Sequence, residues 1–220
     1  MRIRTLGAPA LAVALLTAAP PSAASVGRAN FGPPVDVATG AVPGAMATSD
    51  LDGDARSDLA VAHTDADRVS MLSQGATGFL TGTVVALGGA ARSVALADVN
   101  GDGRRDLVAT IVDIELDQVV VALGRGDGRL RKPRVIDLGP NSIPRNLVPA
   151  DLNGDRDVDP ALTLAGREEV QVLRNDGRGR FTPGATLAAE PTANDVLAGP
   201  TSTGTATPTS WRPAAAMAGW

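Results

Sequence analysis

Three stretches of the chain set acidic or amide side chains at alternate positions with glycine among them: DLDGDARSDLAVA from Asp50, DVNGDGRRDLVAT from Asp98 and DLNGDRDVDPALT from Asp151. Numbered from the first aspartate, side-chain oxygens recur at positions 1, 3, 5 and 9. They fall on Asp50, Asp52, Asp54 and Asp58, on Asp98, Asn100, Asp102 and Asp106, and on Asp151, Asn153, Asp155 and Asp159. Successive copies begin 48 and then 53 residues apart. A period of this size marks propellers, solenoids or arrays, in which each repeat is one supersecondary unit.

What surrounds each acidic stretch recurs too. An apolar run follows it (DLAVAH, DLVATIV, PALTLA), then a second (RVSML, QVVVAL, EVQVL), a glycine turn (SQGATGF, GRGDGRL, NDGRGRF) and a further run leading to the next acidic stretch. Short Val- and Leu-rich runs bounded by Gly and Asp read as antiparallel strands, and they are too short and too often broken for helical repeats. Four strands per unit is the count of a propeller blade, so the expected fold is all-β, with three recognisable blades and a truncated fourth. Aromatics are only 2% of the chain, so Val, Leu, Ala and Ile must fill the core.

Eleven of the 24 acidic residues lie in these three stretches, counting Asp157. Like charges held this close repel unless a cation neutralises them. Position 7, occupied by Arg56, Arg104 and Asp157, can add a backbone carbonyl. Six or seven hard oxygens suit Ca²⁺ better than Mg²⁺, which demands a stricter octahedron, and soft metals find no ligands here. The spacing starts like an EF-hand loop, but position 12 is Val61, Ala109 or Leu162 rather than Glu, and the flanks are strand-like. Solvated Asx turns are the alternative reading of the same residues. Position 6 needs glycine if its φ is positive; Gly103 meets that, whereas Ala55 and Arg156 do so at a cost, and Pro160 further weakens the third loop.

The pattern D-x-[DN]-G-D-x-x-x-D, with the strands around it at 30–62, 78–110 and 128–163, resembles the FG-GAP/VCBS-type repeats of bacterial secreted proteins and of the integrin α-subunit propeller. The resemblance spans roughly 30–198. It implies a β-propeller blade with calcium in the loop between its first two strands. It carries over no ligand-binding face, because no matching motif for one is present.

The ends read differently. Arg2 and Arg4, the apolar LAVALLTAA and Ser22-Ala23-Ala24 form the three parts of an export signal over 1–24, and the apolar run is too short to span a bilayer. The mature chain is therefore expected outside the cytoplasm. Lys132 is the sole lysine, a bias that reads as GC-rich bacterial coding. Residues 25–199 hold the repeats. A fourth acidic loop is due near 200, where Thr201, Thr203, Thr205, Thr207 and Thr209 alternate instead. Read one base earlier, Thr codons become Asp whenever the preceding base is G, so 200–220 is expected to be a poorly ordered tail derived from a frameshifted fourth repeat. A Thr/Pro-rich linker is the alternative.

Net charge of -4 and the absence of a basic face argue against nucleic acid. With no cysteine, neither disulfides nor thiolate sites are available. His63 is the only histidine and reads as a solvated strand end rather than a general base, and no nucleophile elbow, zinc-protease or P-loop motif occurs. Asp113, Glu115 and Asp117 alternate with Val112, Ile114 and Leu116 as on a half-exposed strand. The expectation is a non-enzymatic, secreted Ca²⁺ module that binds an extracellular protein or glycan, with open strand edges that invite self-association. The alternative is the propeller part of a larger extracellular polysaccharide lyase or hydrolase.

Overall fold

The computed structural model describes residues 36–39, 42–112 and 117–189. The expected signal segment, Asp113, Glu115 and the 200–220 tail lie outside these residues. Every described strand lies in one compact unit, within Val37–Trp220.

Among the described residues there is no helix, and twelve strands form three four-stranded antiparallel sheets. The first sheet holds β1 (Pro43–Ser49), β2 (Asp58–His63), β3 (Arg68–Gly75) and β4 (Gly78–Ala86). The second holds β5 (Ala91–Ala97), β6 (Asp106–Val112), β7 (Asp117–Ala122) and β8 (Arg134–Asp137). The third holds β9 (Pro144–Ala150), β10 (Asp159–Leu164), β11 (Glu169–Asn175) and β12 (Phe181–Ala188). In each, consecutive strands are neighbours, so every repeat is a simple meander. Each acidic stretch joins the first strand to the second. No closed ring of sheets forms among the described residues.

Side-chain alternation explains the stacking. Along β6, Leu107, Ala109 and Ile111 join a core with Ala60, Ala62, Val69 and Met71 of the first sheet. Val108, between them, joins a second core with Val119, Val121 and the third sheet's Leu147, Leu162, Leu164 and Leu173. Period two thus sends alternate residues to opposite cores, and β6 is apolar along nearly its whole length because both its faces are covered. Each Leu or Ile so buried contributes about 1.5–3 kcal/mol. First strands line up across the sheets, β1 against β5 and β5 against β9. Polar links cross the second junction: Thr110 Oγ1 donates to the Arg145 carbonyl at 2.9 Å, and the Leu147 amide donates to Ser93 Oγ at 3.2 Å.

Two sequence expectations need correction. His63 is fully buried, not solvated, with Nε2 2.8 Å from Ser70 Oγ and Nδ1 without a hydrogen-bond partner. It occupies the position of Ile111 in the second sheet, so the core rather than the solvent sets its environment. The glycine stretch SQGATGF is mostly strand, since β3 runs to Gly75 and β4 resumes at Gly78. Asp117 is half-buried at the start of β7, and its Oδ2 accepts the Ser142 amide at 2.7 Å.

Candidate metal centre

Each acidic loop is organised by its own carboxylates. Position 1 accepts two or three amides from the same loop: Asp50 takes Gly53 at 2.7 Å and Ala55 at 2.9 Å, and Asp98 takes Gly101 and Gly103, both at 2.8 Å, and Asp102 at 3.2 Å. Asp151 takes Gly154 at 2.7 Å and Arg156 at 3.0 Å. Position 3 accepts the amide of position 5, through Asp52, Asn100 and Asn153, and position 5 accepts that of position 7, through Asp54, Asp102 and Asp155. This is a run of Asx turns, so that reading is right about the backbone. Arg56, Arg104 and Asp157 hold the loop through those amides.

The expected positive φ at position 6 is present throughout: 65° at Ala55, 81° at Gly103 and 75° at Arg156. The third loop therefore adopts the same path as the other two in spite of Arg156.

Position 9 does something the spacing did not announce. Asp58, Asp106 and Asp159 are buried, with exposures of 0%, 0% and 1%. Asp106 clamps two segments, accepting the Val99 amide at 2.9 Å and the Gly124 amide at 2.7 Å. Asp58 likewise takes Leu51 and Gln74, both at 2.8 Å. Asp159 Oδ1 takes Asn175 at 2.9 Å, but its Oδ2 is buried without a partner. The Leu152 amide, counterpart of Leu51 and Val99, is near enough to lower this acid's pKa slightly but completes no hydrogen bond.

In two loops carboxylate oxygens converge. One carboxylate oxygen each from Asp50, Asp52 and Asp58 lie within 4.8 Å of one another, as do those of Asp151, Asp155 and Asp159. Asp54 is not in the first trio; Arg56 pairs with its Oδ2, with Nη2 at 2.6 Å and Nε at 2.9 Å. Among the described residues the second loop forms no such trio from Asp98, Asp102 and Asp106. Its Asn100 donates to Asp102 Oδ2 at 3.1 Å, but Asn153 does the same to Asp155 at 2.8 Å, so that contact does not explain the difference. Asp157 turns away from the loop; a Cβ placed on Gly177 would come within 2.8 Å of its Oδ2.

The electrostatics match this crowding. Burial pushes Asp106 and Asp159 above the usual carboxylate range, with added repulsion from Asp102 and Asp98 in one case and Asp155 and Asp151 in the other. Desolvation, with the charges of Asp58, Asp54 and Asp50, also raises Asp52. Asp54 is lowered, chiefly by the Arg56 amide and then its guanidinium. A donor set of carboxylate and amide oxygens with unmet charge fits a hard divalent cation.

A tie between sheets also went unread in the sequence. Asn175, at the end of β11, donates through Nδ2 to the Val99 carbonyl at 2.7 Å, reaching the second loop from the third sheet. The Gly128 amide, in the turn before β8, donates to the Leu51 carbonyl of the first loop at 3.1 Å. The third-to-fourth-strand hairpins of the second and third sheets thus each brace position 2 of the preceding acidic loop.

Among curated proteins none matches the chain. A solved structure of the Photorhabdus luminescens Tc holotoxin pore is similar at 23% identity and a TM-score of 0.40, over 65% of this chain and 7% of that one. The chain therefore spans a small part of that protein's length. The description of the FG-GAP-like repeat matches residues 50–109 and 98–162, each match opening on the first aspartate of an acidic loop. Together these matches run from the first loop to the strand after the third, and the chain belongs to the FG-GAP-like repeat family.

Proposed function

We propose that this chain is a calcium-stabilised β-propeller repeat module, exported from the cytoplasm, that binds an extracellular protein or glycan and catalyses no reaction. The observation that carries the metal reading is the buried, unpartnered Oδ2 of Asp159, an acid that offers a carboxylate oxygen within 4.8 Å of oxygens of Asp151 and Asp155. Asp50, Asp52 and Asp58 would hold a second ion. A bound Ca²⁺ supplies the positive charge that these acids lack. Three meanders of four strands, stacked by their first strands, support reading each sheet as a blade. The export signal rests on residues 1–24 and the binding role on the family's architecture.

Extracellular calcium modules bind with Kd on the order of 10⁻⁴ to 10⁻³ M. Differential scanning calorimetry of the purified chain is expected to show a Tm several degrees higher in about 10 mM Ca²⁺ than in chelator, since ligand at 100 Kd stabilises by about 2.7 kcal/mol. Asp159→Asn should remove the third loop's share. Identical melting with calcium and with chelator would rule out structural calcium.

A further inference from the structure

The net charge of -4 hides a basic strip, which corrects the reading that no basic face exists. Residues 125–134, from the hairpin turn before β8 into β8 itself, hold five of the chain's 20 basic residues and one of its 24 acidic ones. Arg125, Arg129, Arg131, Lys132 and Arg134 are all exposed, and among the described residues none of their side chains has an ion-pair or hydrogen-bond partner. Arg104 of the second loop adds a sixth cation, since a Cβ placed on Gly126 would meet its side chain at 3.1 Å. The two acids nearest in sequence are turned to their own backbone: Asp127 Oδ1 accepts the Arg129 amide at 3.1 Å, and Asp137, at the far end of β8, accepts the Gly139 amide at 2.8 Å. Asp52 of the first loop approaches only the turn, at Gly128. The rest of the strip follows the outer edge of the second sheet, where β8 is the last strand and Arg134 stands opposite Val121 of β7. From Arg129 to Arg134 the chain can cover up to about 16 Å, so the cations form a row. Charge on an edge strand often serves only to block strand pairing. That purpose would call for charge on all three outer edges, yet β4 and β12 contain no charged residue.

We propose that this strip docks an acidic polysaccharide, whose anionic groups pair with Arg129, Arg131, Lys132 and Arg134 along the edge of the second sheet. The proposal rests on the reading of the chain as an exported binding module and names its partner. Charge complementarity selects the occupant. Guanidinium forks pair bidentately with carboxylates and similar anions, and a polymer that repeats such groups engages several cations of a row at once, so contacts that are weak singly add up. Nucleic acid is the poorer match, because residues 125–134 contain no aromatic side chain on which bases could stack.

Isothermal titration of the full-length chain with dextran sulfate and with neutral dextran, in calcium buffer at about 0.1 M salt, where the Debye length is about 10 Å, tests it. Dextran sulfate is expected to bind and neutral dextran not, with affinity falling steeply as salt rises. The double variant Arg131→Gln/Arg134→Gln is expected to weaken binding at least ~10-fold. The control Arg92→Gln/Arg145→Gln removes the same charge from exposed positions on β5 and β9, first strands at the opposite edges of their sheets, and is expected to change affinity less than ~2-fold. All four sites are exposed, so unchanged circular dichroism and Tm will show the folds intact. Equal weakening by the two pairs overturns the proposal, because the attraction would then belong to total charge and not to the strip. Tighter binding of duplex DNA, or of phosphatidylglycerol-phosphatidylcholine vesicles, than of dextran sulfate overturns the occupant. A chain that ignores dextran sulfate but keeps a calcium-dependent Tm overturns the strip alone and leaves the calcium module standing.

Discussion

The aspartate that ends each loop has two obligations, and they can be separated. Asp106 accepts two backbone amides in the interior, so Asp106→Ala leaves both donors buried without partners. Each unmet buried donor costs about 1–3 kcal/mol, and urea unfolding of metal-free protein should show a loss of about 2–5 kcal/mol. A loss below ~1 kcal/mol would mean the clamp contributes little. The raised acids set a pH dependence of defined sign. Burial and neighbouring charge lift Asp106, Asp159 and Asp52 above their unfolded value near 4, so between those values the folded state binds more protons. Metal-free protein should therefore gain stability as pH falls through the raised folded values of these acids towards the unfolded value near 4, the reverse of an ordinary salt-bridged acid. Asp54 is lowered, and its contribution is lost only below the usual carboxylate range. Calcium requires the charged acids, so its stabilising increment should shrink over the same acidification. Melting curves across pH, with calcium and with chelator, test both trends.

At the level of single strands and turns, the sequence was most legible where chemistry is local. The runs DLAVAH and DLVATIV coincide with β2 and β6, and the positive φ at position 6 followed from glycine at one copy. Less legible was anything decided by distant partners. His63 is polar at a strand end, and only the core around it, shared with Ser70, shows that it is interior. The fourth strands carry a further constraint hidden from pattern reading. In the first and third sheets register shifts occur opposite Ser70/Leu72 and Gln171/Leu173, with Gly82 and Gly184 in the bulging strand. A Cβ on Gly82 would collide with the Met71 carbonyl oxygen, and one on Gly184 would come within 2.9 Å of that of Val172. Gly82→Ala should cost about 1–3 kcal/mol in chemical denaturation, well beyond a surface substitution. An unchanged midpoint would show that the bulge relaxes freely.

For the stack of sheets, stability depends on braces that cross from one repeat to the one before. Asn175 is buried, binds the Val99 and Val158 carbonyls through Nδ2 and receives the Gly177 and Gly179 amides at Oδ1. Asn175→Leu removes all four and leaves the third sheet joined by its apolar face. Calorimetry is expected to split a single transition into two, with the third sheet melting first; one unsplit transition would show that the apolar core alone couples them. In a repeat array, nearest-neighbour terms of this kind decide cooperativity.

The Asn175 brace spans 76 residues and points towards the N-terminus. Synthesis proceeds in the opposite sense, so a newly made sheet waits, its acid-rich loop lacking its last strut, until the next meander has emerged far enough to reach back. Assembly is thereby given an arrow: the first and the second repeat are each completed by the one that follows.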